Sequence, residues 1–401
     1  MRVPCVALCA FLAQTICAHA APITFQTVDV NPKAGVTPAV ALADMDADKD
    51  LDLVAMSNDD IAWYENPAWT RHVVVPTLKG LNVCMALADL DGDGIPEIAA
   101  GADWQFDNTQ GGGALFILKH DTDVRAPWKS AEILAEPSLH RIRWADTDAD
   151  GKPELFVAPL KGRGTSDPDF REAGVRLLQV RPPADLLGGA WPVTVVTQDY
   201  HVLHNLIPFR AVNGRDAMLA VSFEGLTLLE ASAKGWASRA LSPGNPQPWP
   251  RSGSSEVKVG TLGNGFPAIA CIEPWHGNQV VVYTPDAAGP LESVKQWKRH
   301  VLDDTFNQGH ALGWADFNGD GRDELVAGHR EASPATQRVG LHLYSFGAFV
   351  PGAALRFEKQ PIDDGGLATE DLAIGDLDGD GDPDVFAGAR STGNLRVYLK
   401  Q

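Results

Sequence analysis

Cysteine is scarce in this 401-residue chain: Cys5, Cys9 and Cys17 fall near the N-terminus, which leaves only Cys84 and Cys271 further on. Two isolated thiols, each inside a strand-like apolar run, read as small buried core residues and not as a disulfide framework. Beyond residue 20 no stretch of eighteen uninterrupted apolar residues occurs, so insertion into a membrane is not expected. Basic residues are also in short supply, 33 Lys and Arg against 52 Asp and Glu, for a formal net charge of -19. No basic stripe relieves that balance, which argues against nucleic acid as a partner. Stability must therefore come from core burial and from bound ions.

Residues 1–20 carry Arg2, an apolar run through Val6, Ala7, Leu8, Phe11, Leu12 and Ile16, and the small-residue exit Ala18-His19-Ala20. That is the pattern of a cleaved secretory signal, with cleavage expected after Ala20. Ile16 is too large to precede a lipid-modified Cys17. The mature chain, residues 21–401, is expected to be a secreted or periplasmic, monomeric domain.

What the sequence has in quantity is carboxylate loops. Asp376, Asp378, Asp380 and Asp384 stand at positions 1, 3, 5 and 9 of a glycine-bearing segment, and such a loop converges its oxygens on one hard divalent cation, calcium above all. The pattern recurs at Asp89, Asp91, Asp93 and Glu97, at Asp146, Asp148, Asp150 and Glu154, and at Asp316, Asn318, Asp320 and Glu324. A glycine-poor copy stands at Asp44, Asp46, Asp48 and Asp52. These five nine-residue loops hold 22 of the 52 acidic residues, so bound calcium would cancel much of the net charge.

Each loop lies between two apolar strand-like runs. A third run follows, as in Ile61-Ala62-Trp63-Tyr64, and then a fourth opened by an aromatic residue: Trp69, Trp128, Trp191, Trp236, Trp297 or Phe357. Four strands per unit make a propeller blade. Two worn units, at residues 211–216 and 261–265, keep the turn without the carboxylates and bring the count to seven. The last unit ends at Gln401 after its third strand, and residues 23–28 read as the missing outer strand. The expectation is an all-β, seven-bladed β-propeller of four-stranded antiparallel blades, closed by the N-terminal strand, at roughly 54 residues per blade.

These loops and strands resemble the FG-GAP/VCBS repeat propellers, a group that includes integrin α-chain heads, bacterial surface proteins, some lectins, polysaccharide lyases and the propeller domain of aldos-2-ulose dehydratases. Val326-Ala327-Gly328-His329 and Phe386-Ala387-Gly388-Ala389-Arg390 stand where that group has its Gly-Ala-Pro segment, so the naming motif is partly kept.

In a four-stranded blade the cation loops mark one face, and counting back from them reads the other. Six residues before the first loop position come His140, His310 and Glu370, and the worn fourth unit has His204 at about the same place. At the exits of second strands lie Trp104, Lys161, Trp275, His276, His329, Arg330 and Arg390. Imidazoles converging at a channel mouth suit zinc or another divalent metal, or acid-base work near neutral pH. Trp104 and Trp275 can stack on a sugar, and Lys161, Arg330 and Arg390 can hold its hydroxyl or carboxylate groups. The plainer reading of each is also open: imidazoles bonded to neighbouring strands, tryptophans packing loops, solvated surface charges.

Two functional readings follow. The first, for which the resemblance to aldos-2-ulose dehydratase propellers speaks, is a metal-assisted lyase or dehydratase of a carbohydrate or keto-sugar, with His140, His204, His276, His310, His329 and Glu370 as catalytic or metal-binding candidates. The second is a lectin-like or adhesion propeller that binds a carbohydrate or protein at the same face without turning it over.

Overall fold

The computed structural model describes residues 22–401 and consists of strands, turns and a single short 3-10 turn at Leu291–Ser293. The signal-like segment 1–20 lies outside the described residues. Twenty-eight strands form seven four-stranded sheets, and in each the strands are antiparallel neighbours in chain order. In the seventh, Phe25–Asn31 pairs with Leu395–Lys400, with Phe25 opposite Lys400 and Asp29 opposite Arg396. The N-terminal strand thus supplies the outer strand of the last blade. Among the described residues no helix is long and apolar enough to cross a membrane.

The inner strands of blades one to seven are Ala39–Ala43, Cys84–Ala88, Leu139–Ala145, Asn205–Arg210, Glu256–Thr261, Gly309–Ala315 and Thr369–Gly375. Each packs against the next, and the first packs against the seventh, so the ring is closed. Crowding at the axis selects glycine: a Cβ on Gly313 would lie 2.5 Å from Ile374 Cδ1 of the next blade. Second strands are buried on both faces because neighbouring blades cover them, which is why they read as continuous apolar runs. Asp52–Met56, Glu97–Ala102, Glu154–Pro159, Glu324–His329 and Asp384–Ala389 are buried throughout. The core between blades seven and one joins Leu53, Tyr64, Phe386 and Val397 across the closure. Each such side chain contributes about 1.5–3 kcal/mol by leaving water. Cys84 and Cys271 are free and buried, as expected, and burial pushes the Cys84 thiol up to about 12.

Candidate functional site

The five acidic loops share one conformation. At position 1, Asp44, Asp89, Asp146, Asp316 and Asp376 each accept two backbone N–H bonds from within their own loop; in the last, Gly379 and Gly381 donate at 2.9 and 3.1 Å. At position 9, Asp52, Glu97, Glu154, Glu324 and Asp384 are buried and accept the N–H of position 2. Positions 4 and 6 take positive φ in every copy: Gly379 and Gly381 at 76° and 91°, but Ala47 and Lys49 at 64° and 83°. The glycine-poor first loop therefore keeps the cage geometry at the cost of two strained residues.

The carboxylate oxygens of Asp44, Asp46 and Asp48 lie within 4.8 Å of one another, as do those of Asp89, Asp91 and Glu97, of Asp146, Asp148 and Asp150, and of Asp376, Asp378 and Asp384. Such crowding of like charge suits a cation, and side-chain cations are drawn in: Lys119 Nζ bonds Glu97 at 2.6 Å and also Asp91, and Arg181 bridges Asp148 and Glu154. Asp93 bonds His120 and lies outside its trio. In the sixth blade Asn318 donates to Glu324 at 2.6 Å, and burial pushes the Glu324 carboxyl up to about 7. Asp320 there pairs with Arg322.

The opposite face carries a cavity of about 440 Å³ on the axis. Blades one and two give it an apolar wall, with Val36, Pro38, Leu81 and Val83; later blades give it His140, His276, His310, Arg330, Glu370 and Arg390. Pairing slips by one residue at His140, at His310 and at Glu370, where an extra residue on the inner strand faces none on its partner. A β-bulge of this kind re-aims a side chain. The same bulge in three blades is what gathers these three residues at the mouth.

Three imidazoles cluster about His204, whose ring centroid lies 4.7, 4.6 and 5.3 Å from those of His140, His276 and His310. Ring nitrogens of His204, His276 and His310 lie within 4.8 Å of one another. The hydrogen bonds fix the tautomers. His204 Nδ1 donates to the Ser255 carbonyl at 3.1 Å and faces Glu256 at 3.0 Å, and His310 Nδ1 donates to the Glu370 carbonyl at 2.5 Å. Both rings therefore turn an Nε2 lone pair into the cluster. Arg330 donates to His276 Nδ1 at 2.9 Å, so the neutral His276 ring carries its proton on Nε2, which meets His204 Nε2 at 2.8 Å. Arg141 likewise donates to His140 Nδ1 at 3.1 Å.

Burial, reinforced by the nearby Arg141 and Arg330 charges and by one another, holds His140, His276 and His310 well below the usual imidazole value. Burial also lowers His204, against the pull of Glu256. Burial alone would raise Glu256, but hydrogen bonds from His204 and Asn205 and the charge of Arg141 bring it down to about 2. The cluster is thus a set of neutral imidazoles near pH 7, with Glu256 ionised behind them. Glu370 binds Arg330 at 2.9 Å and Arg390 at 3.2 Å through Oε1 alone; its Oε2 is buried and has no partner among the described residues.

Other candidates stand elsewhere. His329 is remote from the cluster: its Nδ1 donates to the Glu331 carbonyl, and its ring packs on Phe306 and His342. Lys161 is committed to structure, donating to the Phe106 carbonyl at 2.7 Å beneath the rings of Phe106 and Phe170. Trp275 stacks on Phe106 outside the cavity lining, whereas Trp104 lines the cavity edge-on to His140. Arg141, Glu256 and Gln308 belong to the site without having been singled out. Arg141 and Glu256 sit on inner strands beside residues that were, and a charged residue at an axial strand position was the available signal.

A closed ring with acidic loops on one face and a histidine-arginine mouth on the other makes this chain a seven-bladed β-propeller, and segments of it are similar to known repeat families. Residues 44–100 and 85–118 match the FG-GAP-like repeat and FG-GAP repeat families. Residues 112–286 match the family described as aldos-2-ulose dehydratase, beta-propeller domain. That span includes His140, His204, Glu256 and His276, and ends before His310, Arg330, Glu370 and Arg390. The aldos-2-ulose dehydratase of Phanerodontia chrysosporium is 25% identical over 268 residues, 63% of this chain but only 29% of that protein. Among solved structures, BBS1N from a complex with ARL6DN superposes with a TM-score of 0.54 at 12% identity, covering 94% of this chain and 96% of the other, a likeness of fold alone. An Agrocybe aegerita lectin that recognises non-reducing terminal N-acetylglucosamine gives a TM-score of 0.47 at 14% identity, covering 90% and 93%.

Proposed function

We propose that this propeller is an exported, metal-assisted lyase or dehydratase acting on a carbohydrate at the axial mouth, with calcium in the acidic loops as scaffold. The observation that carries the reading is the convergence of His204, His276 and His310 beside Glu370 Oε2, a buried carboxylate oxygen without a partner among the described residues. The similarity to the aldos-2-ulose dehydratase propeller supports carbohydrate as the substrate class.

The donor set fits a divalent metal. His204 and His310 already have Nδ1 tied to a carbonyl, which leaves Nε2 as ligand, and Glu256 behind His204 is the outer partner such ligands have. Two nitrogens at zinc-bond lengths and a tetrahedral angle stand about 3.4 Å apart. The His204–His276 pair, hydrogen-bonded at 2.8 Å, would have to open by about 0.6 Å, with the His276 proton moving from Nε2 to Nδ1 and Arg330 turning from that nitrogen to its other partners, Glu370 and Gln308. A metal held there would polarise a substrate carbonyl or hydroxyl. Glu370 Oε2 would take the proton from the carbon next to a substrate carbonyl or carboxyl group, and the β-oxygen would depart with its bonding electrons and that proton, as water or a sugar alcohol. Arg330 and Arg390 hold Oε1 and so fix which oxygen acts as base. Trp104 and the apolar wall of blades one and two receive the sugar face.

Metal analysis of purified protein after mild calcium chelation tests this, beside His204→Ala and His310→Ala variants. Retention of a transition metal by the wild type and its loss in both variants is expected. Calcium alone in all three, with glycan binding unchanged, would leave a binding module instead.

A further inference from the structure

The cavity is positively charged in a protein whose formal net charge is -19. Its lining holds the guanidiniums of Arg141, Arg330 and Arg390 against one carboxylate, Glu370, and behind the lining Glu256 pairs with Arg141 at 3.4 Å. Arg330 and Arg390 share a single oxygen of Glu370, so one positive charge at the mouth is left over. Arg330 is spent on Glu370, Gln308 and His276. Arg390 is not: among the described residues its side chain bonds Glu370 alone, is 45% exposed, and leaves the rest of its planar fork free at the rim.

The excess continues down the axis. Below Arg141, a second chamber of about 190 Å³ is lined by Arg143, Lys258 and Asp371. Asp371 accepts the Val40 N–H at 3.0 Å, and Lys258 has neither a hydrogen bond nor an ion pair among the described residues. A neutral sugar gives such a field nothing to neutralise. An anionic one is drawn out of the acidic surroundings and oriented, because a cleft of one sign focuses its field on the opposite charge.

We infer that the substrate is an acidic carbohydrate, a uronic acid unit whose carboxylate is taken in a bidentate pair by the free fork of Arg390 at the cavity rim. This rests on the carbohydrate reading above and narrows it. It also makes chemical sense of the base. With its carboxylate neutralised by a guanidinium, the C5 proton of a uronate is acidified; Glu370 Oε2 takes it, a C4–C5 double bond forms, and the C4–O4 bond breaks with the proton passing to O4. No oxidant or reductant is required.

The test is calorimetric binding of an oligoglucuronide and of the neutral oligoglucoside of the same linkage, at low and high salt. Wild type, Arg390→Gln and Arg390→Lys are compared, each first checked by thermal unfolding. The acidic sugar is expected to bind more tightly than the neutral one, and added salt to weaken it. Arg390→Gln should weaken it by about tenfold or more, the worth of a hydrogen bond to a charged group, and Arg390→Lys by less. Neutral-sugar affinity should change less than acidic-sugar affinity in both variants. Neutral sugar bound as well as acidic sugar, or acidic-sugar affinity indifferent to Arg390 and salt, overturns the inference and leaves the carbohydrate reading standing. Tighter binding of glucose 6-phosphate than of glucuronate overturns it in favour of a phosphoester. Binding of no sugar at all overturns both.

Discussion

Replacing Asp378 by Asn should stabilise the protein without calcium and destabilise it with calcium. The carboxylates of Asp376, Asp378 and Asp384 lie within 4.8 Å of one another, and among the described residues none of the three is paired with a basic side chain. Two unit charges at that distance repel by about 0.9 kcal/mol with the dielectric constant of water, and by about half that at physiological salt. Asn removes two of the three repulsions, about 1 kcal/mol. A folded chain of this length unfolds with an entropy near 0.8 kcal/mol per degree, so the melting temperature in chelator should rise by about 1 °C, and by about 2 °C at low salt. With calcium at a hundred times its dissociation constant, the wild-type loop gains about 2.7 kcal/mol, or about 3 °C, and a variant short of one ligand forfeits most of it. Scanning calorimetry of both proteins in chelator and in calcium measures the two shifts. A shift of the same sign in both conditions would refute the cage, since no purely structural role for Asp378 reverses with calcium.

The first loop offers a complementary gain: Lys49→Gly should raise stability by about 0.5–1 kcal/mol, read from denaturant midpoints, because φ of 83° costs lysine more than glycine's added chain entropy. Burial, with the Lys359 charge beside it, pushes the His342 imidazole down to about 4. The unfolded chain then binds the extra proton first, so stability should fall as pH drops from about 6.5 towards 4, by on the order of 2–3 kcal/mol. His342→Leu should flatten that part of the melting-temperature profile, and an unchanged slope would count against the assignment. Glu256→Gln should weaken zinc binding by about 10–100-fold in a chelator competition while the fold persists, since Glu256 acts on the metal only through His204.

The acidic loops were legible because their chemistry forces a spacing: oxygens at positions 1, 3, 5 and 9 need those residue types wherever the loop recurs. Strand order and ring closure followed from the loops, since each marks the turn between an inner and a second strand. The site was legible only as far as counting from the loops carries. Six residues back worked for His140, His310 and Glu370 because the inner strands of blades three, six and seven share one bulge. In blades four and five the inner strands pair without a slip, the loops are worn, and the count is uncertain by a residue. Glu256 was lost there. Counting also could not sort the second-strand exits. His276 and His329 leave their blades at comparable places, yet positive φ at His276 and the Arg330 fork accompany its ring at the cluster, while the Glu331 carbonyl, Phe306 and His342 hold His329 elsewhere.

The bulge also explains how one scaffold carries both a cage and a mouth. A regular inner strand alternates its side chains between neighbouring blades, and a slip by one residue would reverse every one of them. Placing the slip at the first pair of the strand confines it to the mouth: Arg141 onwards pairs in register with Ala158, Ala311 with Gly328 and Asp371 with Gly388. The rest of each strand, and the loop it leads into, keep the geometry that the buried position-9 carboxylate requires. Shortening the bulge in blade three by deleting His140 should therefore remove an imidazole from the mouth while calcium keeps its full stabilising effect, and deleting Ala145 next to the Asp146 loop should reduce that effect. Calcium-dependent melting of the two deletions separates the faces: if both lose it equally, the bulge and the cage are one cooperative unit and the division of the blade into scaffold and site is wrong.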